Sequence, residues 1–169
     1  PAPGTAPTNW INAGTYVFEP TVLDHVAAGR RVSVEREVFP AMAQAGSLFA
    51  WESDDYWVDT GTPETYLQAQ LDFLDGQRGP AHCGLDQTAV IKGTVERSEI
   101  GPNCVVETGA VVRNSVLLAG AHIVAGATVE DAIIGFDARV ETGATVRNLS
   151  VVGHSATVPA GSMLDGERL

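Results

Sequence analysis

The sequence predicts an α/β segment followed by a left-handed parallel β-helix of hexapeptide repeats, with the boundary between residues 79 and 80. Three observations carry this. An apolar residue returns at every sixth position through the back half: Ile100, Val106, Val112, Leu118 and Val124, then Ile134, Val140, Val146, Val152, Val158 and Leu164. A small or polar residue follows four places after most of these anchors, as at Cys104, Ala110, His122, Ala138, Ala144 and Ser150. The string Glu-Thr-Gly-Ala-x-Val-Arg-Asn occurs twice, at Glu107–Asn114 and at Glu141–Asn148. Neither an α-helix nor an amphipathic strand repeats at six, whereas each face of a β-helix coil contributes one inward anchor.

In residues 1–79, Ile11–Phe18 reads as a strand, being β-branched and aromatic and stopped by Pro20. Thr21–Val26 is a short helix. Ser33 caps a second helix with Glu35 in its first turn, Pro40 interrupts or restarts it, and Gly46 ends it. Ser47–Trp51 and Tyr56–Asp59 read as strands. Gly61-Thr62-Pro63-Glu64 then turns the chain into a helix, with Thr62 as cap, Pro63 at its first position and Leu67, Leu71 and Leu74 on one stripe. Gly76 terminates it, and Gln77–Asp86 is a linker.

In residues 80–169 the hexads open near Val90 and make four to five coils of about 18 residues, three hexads to a turn. The ten-residue gap from Val124 to Ile134 predicts an altered coil with Glu130 and Asp131 at a bulge. Cys104 falls at a small inward position, where a buried thiol behaves as a small apolar group. His82–Cys83 lacks a second pair at metal-site spacing. His122 faces inward or at a corner, and His154 lies in a turn.

Composition narrows the function. The net charge is −11 and both halves are acidic, which argues against nucleic acid and anionic membranes as partners. Two cysteines make no disulfide framework, and no signal peptide or apolar run of membrane-spanning length is visible, so a cytoplasmic protein is expected. The chain starts at Pro1, in a Pro- and Ala-rich loop leading into what reads as an internal strand, which suggests a piece of a longer protein. One segment looks chemical. Tyr56–Asp59 ends in a carboxylate at a strand-to-helix junction, where α/β folds bind ligands. Position alone leaves Asp59 open between a ligand role and a turn cap.

Three blocks in this order carry a resemblance: Ile11-Asn12-Ala13-Gly14-Thr15-Tyr16-Val17-Phe18, Ser33-Val34-Glu35-Arg36-Glu37-Val38-Phe39-Pro40 and Tyr56-Trp57-Val58-Asp59-Thr60-Gly61-Thr62-Pro63. Followed by hexads, they resemble the C-terminal half of a sugar-nucleotide pyrophosphorylase, above all the mannose-1-phosphate guanylyltransferases (GDP-mannose pyrophosphorylases). The resemblance implies an α/β nucleotidyltransferase fragment with its sugar-binding part in residues 1–79. It implies that Asp59 is the second metal aspartate, holding Mg²⁺ and acting in catalysis. Asn12 and Gly14 match the loop against the sugar, and Glu35 a block on the sugar side of the cleft. Tyr16 and Trp57 are expected to pack behind the site.

The reaction implied is attack of a hexose 1-phosphate on the α-phosphorus of a nucleoside triphosphate, yielding a nucleotide-sugar and pyrophosphate. The sequence lacks the family's glycine-rich nucleotide loop, its first metal aspartate and its Glu-Lys-Pro motif, and Lys92 is the single lysine. The chain alone is therefore expected to be inactive, its partner being the missing N-terminal half of the same protein. The hexads are expected to drive homo-oligomerisation. Two alternatives compete: a hexapeptide-repeat acyltransferase using His122 or His154 as base, and a non-catalytic pyrophosphorylase-like regulatory subunit.

Overall fold

The computed structural model describes residues 4–5, 8–81 and 83–169; His82 of the His82–Cys83 pair lies outside them, as does most of the Pro1–Pro7 loop. The chain divides into two units, residues up to Trp57 and residues from Val58 onward.

In the first unit a 3₁₀ turn spans Pro20–His25. Ser33 caps the next element as expected, its Oγ accepting from the Arg36 N–H. That element is a single π-turn, Val34–Val38, running directly into α1, Phe39–Gln44, where Pro40 restarts the helix and Gly46 leaves it at φ 69°. Val38 is its buried anchor. Ile11–Phe18, Ser47–Trp51 and Tyr56–Asp59 were expected as strands but are irregular and form no strand among the described residues; Ile11–Phe18 is broken by a bend at Gly14, φ 75°. A strand needs a neighbour that pairs with its backbone along its length, and none of these three segments joins a sheet among the described residues.

The second unit opens with α2, Pro63–Leu74. Thr62 and Thr65 form a reciprocal capping box, which satisfies two end donors, and Pro63 occupies the position where its missing N–H costs nothing. Leu67 and Leu71 bury against Val116 and Ile133 on one face of a parallel β-helix. Each such burial contributes roughly 1.5–3 kcal/mol.

The β-helix has three parallel sheets, two of five strands and one of four. The helix-covered face stacks Glu99–Ile100, Val116–Leu117, Ile133–Ile134 and Val151–Val152. A second face stacks Val90–Ile91, Val105–Val106, His122–Ile123, Arg139–Val140 and Thr157–Val158. The third stacks Thr94–Glu96, Val111–Arg113, Thr128–Glu130, Thr145–Arg147 and Met163–Asp165.

The inward register differs from the hexad reading. Leu117 and Ile123 are fully buried, where Leu118 and Val124 were expected. Ala121, not His122, fills the small inward position of its coil, and Ala127 fills the next. Likewise Val90 points outward and Ile91 inward. The cause is the corner between the third and the helix-covered face. Asn114 takes a left-handed conformation there, φ 45°, and turns the chain one residue early, so the step from Val112 to Leu117 is five. Asp131, φ 47°, does the same between Val129 and Ile134. Coils therefore run from 100 to 117 and from 117 to 134, 17 residues each rather than 18. There is no bulge at Glu130 and Asp131; Glu130 is in a strand and Asp131 is the corner. At the next corner two residues are left-handed, Asn148 and Leu149, and the coil from 134 to 152 regains its eighteenth residue.

Beside this corner the buried serines are satisfied between coils. Ser115 Oγ donates to the Arg113 carbonyl and accepts from the Ala132 N–H, and Ser115 N–H donates to Ser98 Oγ. Ser150 repeats the pattern toward Arg147 and Glu167. Cys104 is buried as expected, and desolvation raises its thiol pKa. No helix of the described residues is long and apolar enough to cross a membrane.

Candidate functional site

The first unit joins three of the predicted site residues, Asn12, Gly14 and Glu35, in one network. Gly14, at φ 75°, lets the loop turn so that its N–H donates to Asn12 Oδ1 at 2.9 Å. That bond fixes the orientation of the amide. Its Nδ2 then donates to Tyr16 Oη at 2.6 Å and to Glu35 Oε1 at 3.0 Å. The Tyr16 hydroxyl completes the set by donating to the same Glu35 oxygen at 3.0 Å.

Glu35 is presented by the π-turn, a widened helical turn that recurs at functional sites. Its neighbours hold that turn in place. Ser33 N–H donates to Glu37 Oε1, and Arg30 pairs with Glu37 at 2.8 Å, which holds the Glu37 carboxyl below the usual range. Glu35 Oε2 accepts no hydrogen bond among the described residues.

Asn12 and Tyr16 also line a hollow of about 760 Å³, together with Phe39, Trp51, Tyr56 and Trp57. Tyr16 and Trp57 were expected to pack behind the site; they line it and are 38% and 47% exposed. Aromatic walls with a few fixed polar groups are the usual makeup of a small-molecule site.

Asp59 lies in the second unit, at the entry to α2. Its Oδ1 accepts from the Gly61 N–H at 2.9 Å, which realises the turn-cap reading. The carboxylate is exposed to solvent, and its Oδ2 has no partner among the described residues. No group of three or more His, Cys, Asp and Glu side chains that could hold a metal occurs among the described residues. A magnesium ion keeps most of its waters and needs only one or two carboxylates beside substrate phosphates, so a lone open carboxylate suits it.

The histidines of the β-helix are engaged structurally. His122 points outward from its strand. A guanidinium can only donate, so His122 Nδ1 accepts from Arg139 at 2.6 Å and Nε2–H donates to Glu107 at 2.7 Å. That bond, with the Ala125 N–H, lowers the Glu107 pKa. His154 Nδ1 accepts from the Phe136 N–H, and the two rings lie 4.9 Å apart. Both ring nitrogens of His122 are thus taken, whereas only Nδ1 of the exposed His154 is.

Sequence reasoning named Asn12, Gly14 and Glu35 but missed the Tyr16 hydroxyl. Its bond to Glu35 spans 19 residues, and no local spacing announces it.

Comparison with known proteins gives two family matches. Residues 81–169 match the GMPPB C-terminal domain, and residues 2–76 match the nucleotidyl transferase family. A mannose-1-phosphate guanylyltransferase of Mycobacterium tuberculosis is 38% identical over 138 residues, covering 71% of this chain and 37% of that protein. The mannose-1-phosphate guanylyltransferase catalytic subunit beta of Xenopus tropicalis is 38% identical over 109 residues, covering 57% and 28%. The chain thus spans about a third of the length of these curated relatives. Among solved structures, a mutant perosamine N-acetyltransferase from Caulobacter crescentus in complex with CoA and GDP-perosamine matches at TM-score 0.29 and 19% identity, covering 50% of this chain and 49% of that one. A likeness that slight carries no argument.

Proposed function

We propose that this chain, which belongs to the GMPPB C-terminal domain family, forms the sugar-side end of a nucleotidyltransferase that makes GDP-mannose and pyrophosphate from mannose 1-phosphate and GTP. One observation carries the reading. Asn12 and Tyr16, which line the aromatic-walled hollow, both donate to Glu35, a carboxylate outside that lining; a sugar offers hydroxyls for such polar groups and a C–H face for the aromatic walls. The matched spans, 2–76 and 81–169, support taking residues 1–79 as the end of the catalytic domain and 80–169 as its β-helix.

Nucleotidyl transfer needs in-line positioning and charge neutralisation more than covalent help. In this reading Glu35 accepts from a sugar hydroxyl, and the Gly14 loop lies against the ring, where a side chain at that position would be strained. Asp59 would hold a magnesium ion, which when bound neutralises phosphate charge. The attacking oxygen belongs to the sugar phosphate, so no side chain of this chain needs to become a nucleophile.

The donors for the triphosphate are assigned to the preceding half of the same protein, and the chain alone is inactive. Cytoplasmic residence and self-association through the coils belong to the same proposal. The test is pyrophosphate release from mannose 1-phosphate, GTP and Mg²⁺. The full-length protein turns over, residues 1–169 alone do not, and Asp59→Asn in the full-length protein loses at least roughly a hundredfold in kcat, the scale of removing one fixed charge-stabilising group. Unchanged turnover in Asp59→Asn overturns the metal role.

A further inference from the structure

We propose that Tyr16 is a positioning residue, which acts through Glu35 to set the affinity for the sugar phosphate. The inference rests on the sugar-nucleotide reading above and assigns a role the motifs do not. The geometry is specific. The Tyr16 ring is held between Phe18, stacked at 5.6 Å, and Phe39, edge-on at 5.0 Å. Its hydroxyl accepts from Asn12 and donates to Glu35 Oε1. A phenol has one proton to give, and the Asn12 contact forces it toward the carboxylate, because an amide nitrogen can only donate.

Glu35 Oε1 is thereby taken by two donors, which on this exposed side chain leaves Oε2 as the oxygen available to a sugar hydroxyl. Glu35 sits on a single π-turn with a flexible side chain, so the turn alone does not choose which oxygen faces outward. Without the hydroxyl the carboxylate can rotate about its last bond, and a small misplacement of a positioning group is costly. A hydrogen bond to a charged group is worth roughly ten- to a hundredfold in an equilibrium constant. Asn12 keeps one of the two bonds, so the lower end applies.

The experiment is steady-state kinetics on the full-length protein, varying mannose 1-phosphate and GTP separately, with thermal unfolding alongside. Tyr16→Phe keeps the ring and removes only the hydroxyl. The expected result is a rise of roughly tenfold in KM for mannose 1-phosphate, with KM for GTP, kcat and Tm nearly unchanged, the pattern of lost uniform binding to one substrate. In a Glu35→Gln background the same change adds less than about twofold, because the two residues act as one unit. An unchanged KM in an active protein overturns the inference and leaves the nucleotidyltransferase reading standing. So does a joint shift of both KM values and Tm, or an independent effect in the Glu35→Gln background. A wild-type protein that makes no GDP-mannose overturns the underlying reading, and this inference falls with it.

Discussion

The two units satisfy their backbones and apolar side chains in opposite ways. From Val90 onward each strand finds its neighbour one coil away in the chain, so N–H and C=O groups are matched without help. Ile100, Val106, Val112, Leu117, Ile123, Val129, Ile134 and Val140 are all fully buried. The unit ending at Trp57 contains no strand among the described residues. It leaves Trp51 at 95% and Val17 at 99% exposed. A solenoid is assembled from local contacts; the first unit is a set of well-made turns with an aromatic-lined hollow and large apolar side chains left exposed. The difference teaches where stability resides.

The largest break in that contrast is a pair of truncations. Leu117→Ala should cost about 2–5 kcal/mol, because the coils above and below leave little room to collapse into the void. Trp51→Ala should change unfolding of the same chain by about 0.5 kcal/mol or less. Urea titration of residues 1–169 followed by circular dichroism measures both. A large cost at Trp51 would show that its surface is covered in solution.

Smaller is the start of α2. Thr62→Ala removes the reciprocal cap of α2 and should cost about 1 kcal/mol, while Thr62→Ser should recover most of it. The same titration reads this, and an equal loss in both variants would remove the capping hydroxyl from the explanation.

Smallest is the response to acid. Arg97, Arg113 and Arg147 hold Asp75, Glu96 and Asp165 below the ordinary carboxylate range, and His122 does the same for Glu107. In each case the folded pKa lies under the unfolded one. Their stabilisation is therefore complete above the unfolded value and is lost as pH falls through the folded value. These side chains face water, so the effect is modest and screened by salt. The melting temperature should fall on acidification through the carboxylate range, and the combined Glu96→Gln and Asp165→Asn variant should flatten that fall. A parallel curve for the variant would assign the loss to other groups.

The β-helix was legible because its period is written in side chains that water excludes. Its register was legible only in part. Val116, Leu117 and Leu118 are all apolar, so a period of six accepts Leu118 as readily as Leu117. What decides is the left-handed turn at Asn114, a backbone event that the hydrophobic pattern does not record. One signal was present and unread. The repeated Glu-Thr-Gly-Ala strings begin at 107 and 141, 34 residues apart, which is two coils of 17 and not of 18. In the first unit the Ser33 cap, the Pro40 restart and the Gly46 stop were legible because each is settled by a single residue's chemistry. The strands were not, since pairing depends on a neighbour. Asn12, Gly14 and Glu35 were named through the resemblance, but a bond between residues 12 and 35 has no local signature.

The third face of the β-helix carries a consequence for how such a domain changes length. Along its edge Glu96, Arg113, Glu130, Arg147 and Asp165 follow one another on successive coils, so the sign of the charge reverses at every level. Like charges placed directly across neighbouring strands repel. Duplicating or deleting a single coil would put two arginines or two acids side by side, whereas changing the stack by a pair of coils keeps the alternation. Lineages that lengthen or shorten this tower without disturbing that edge would do so in even numbers of storeys.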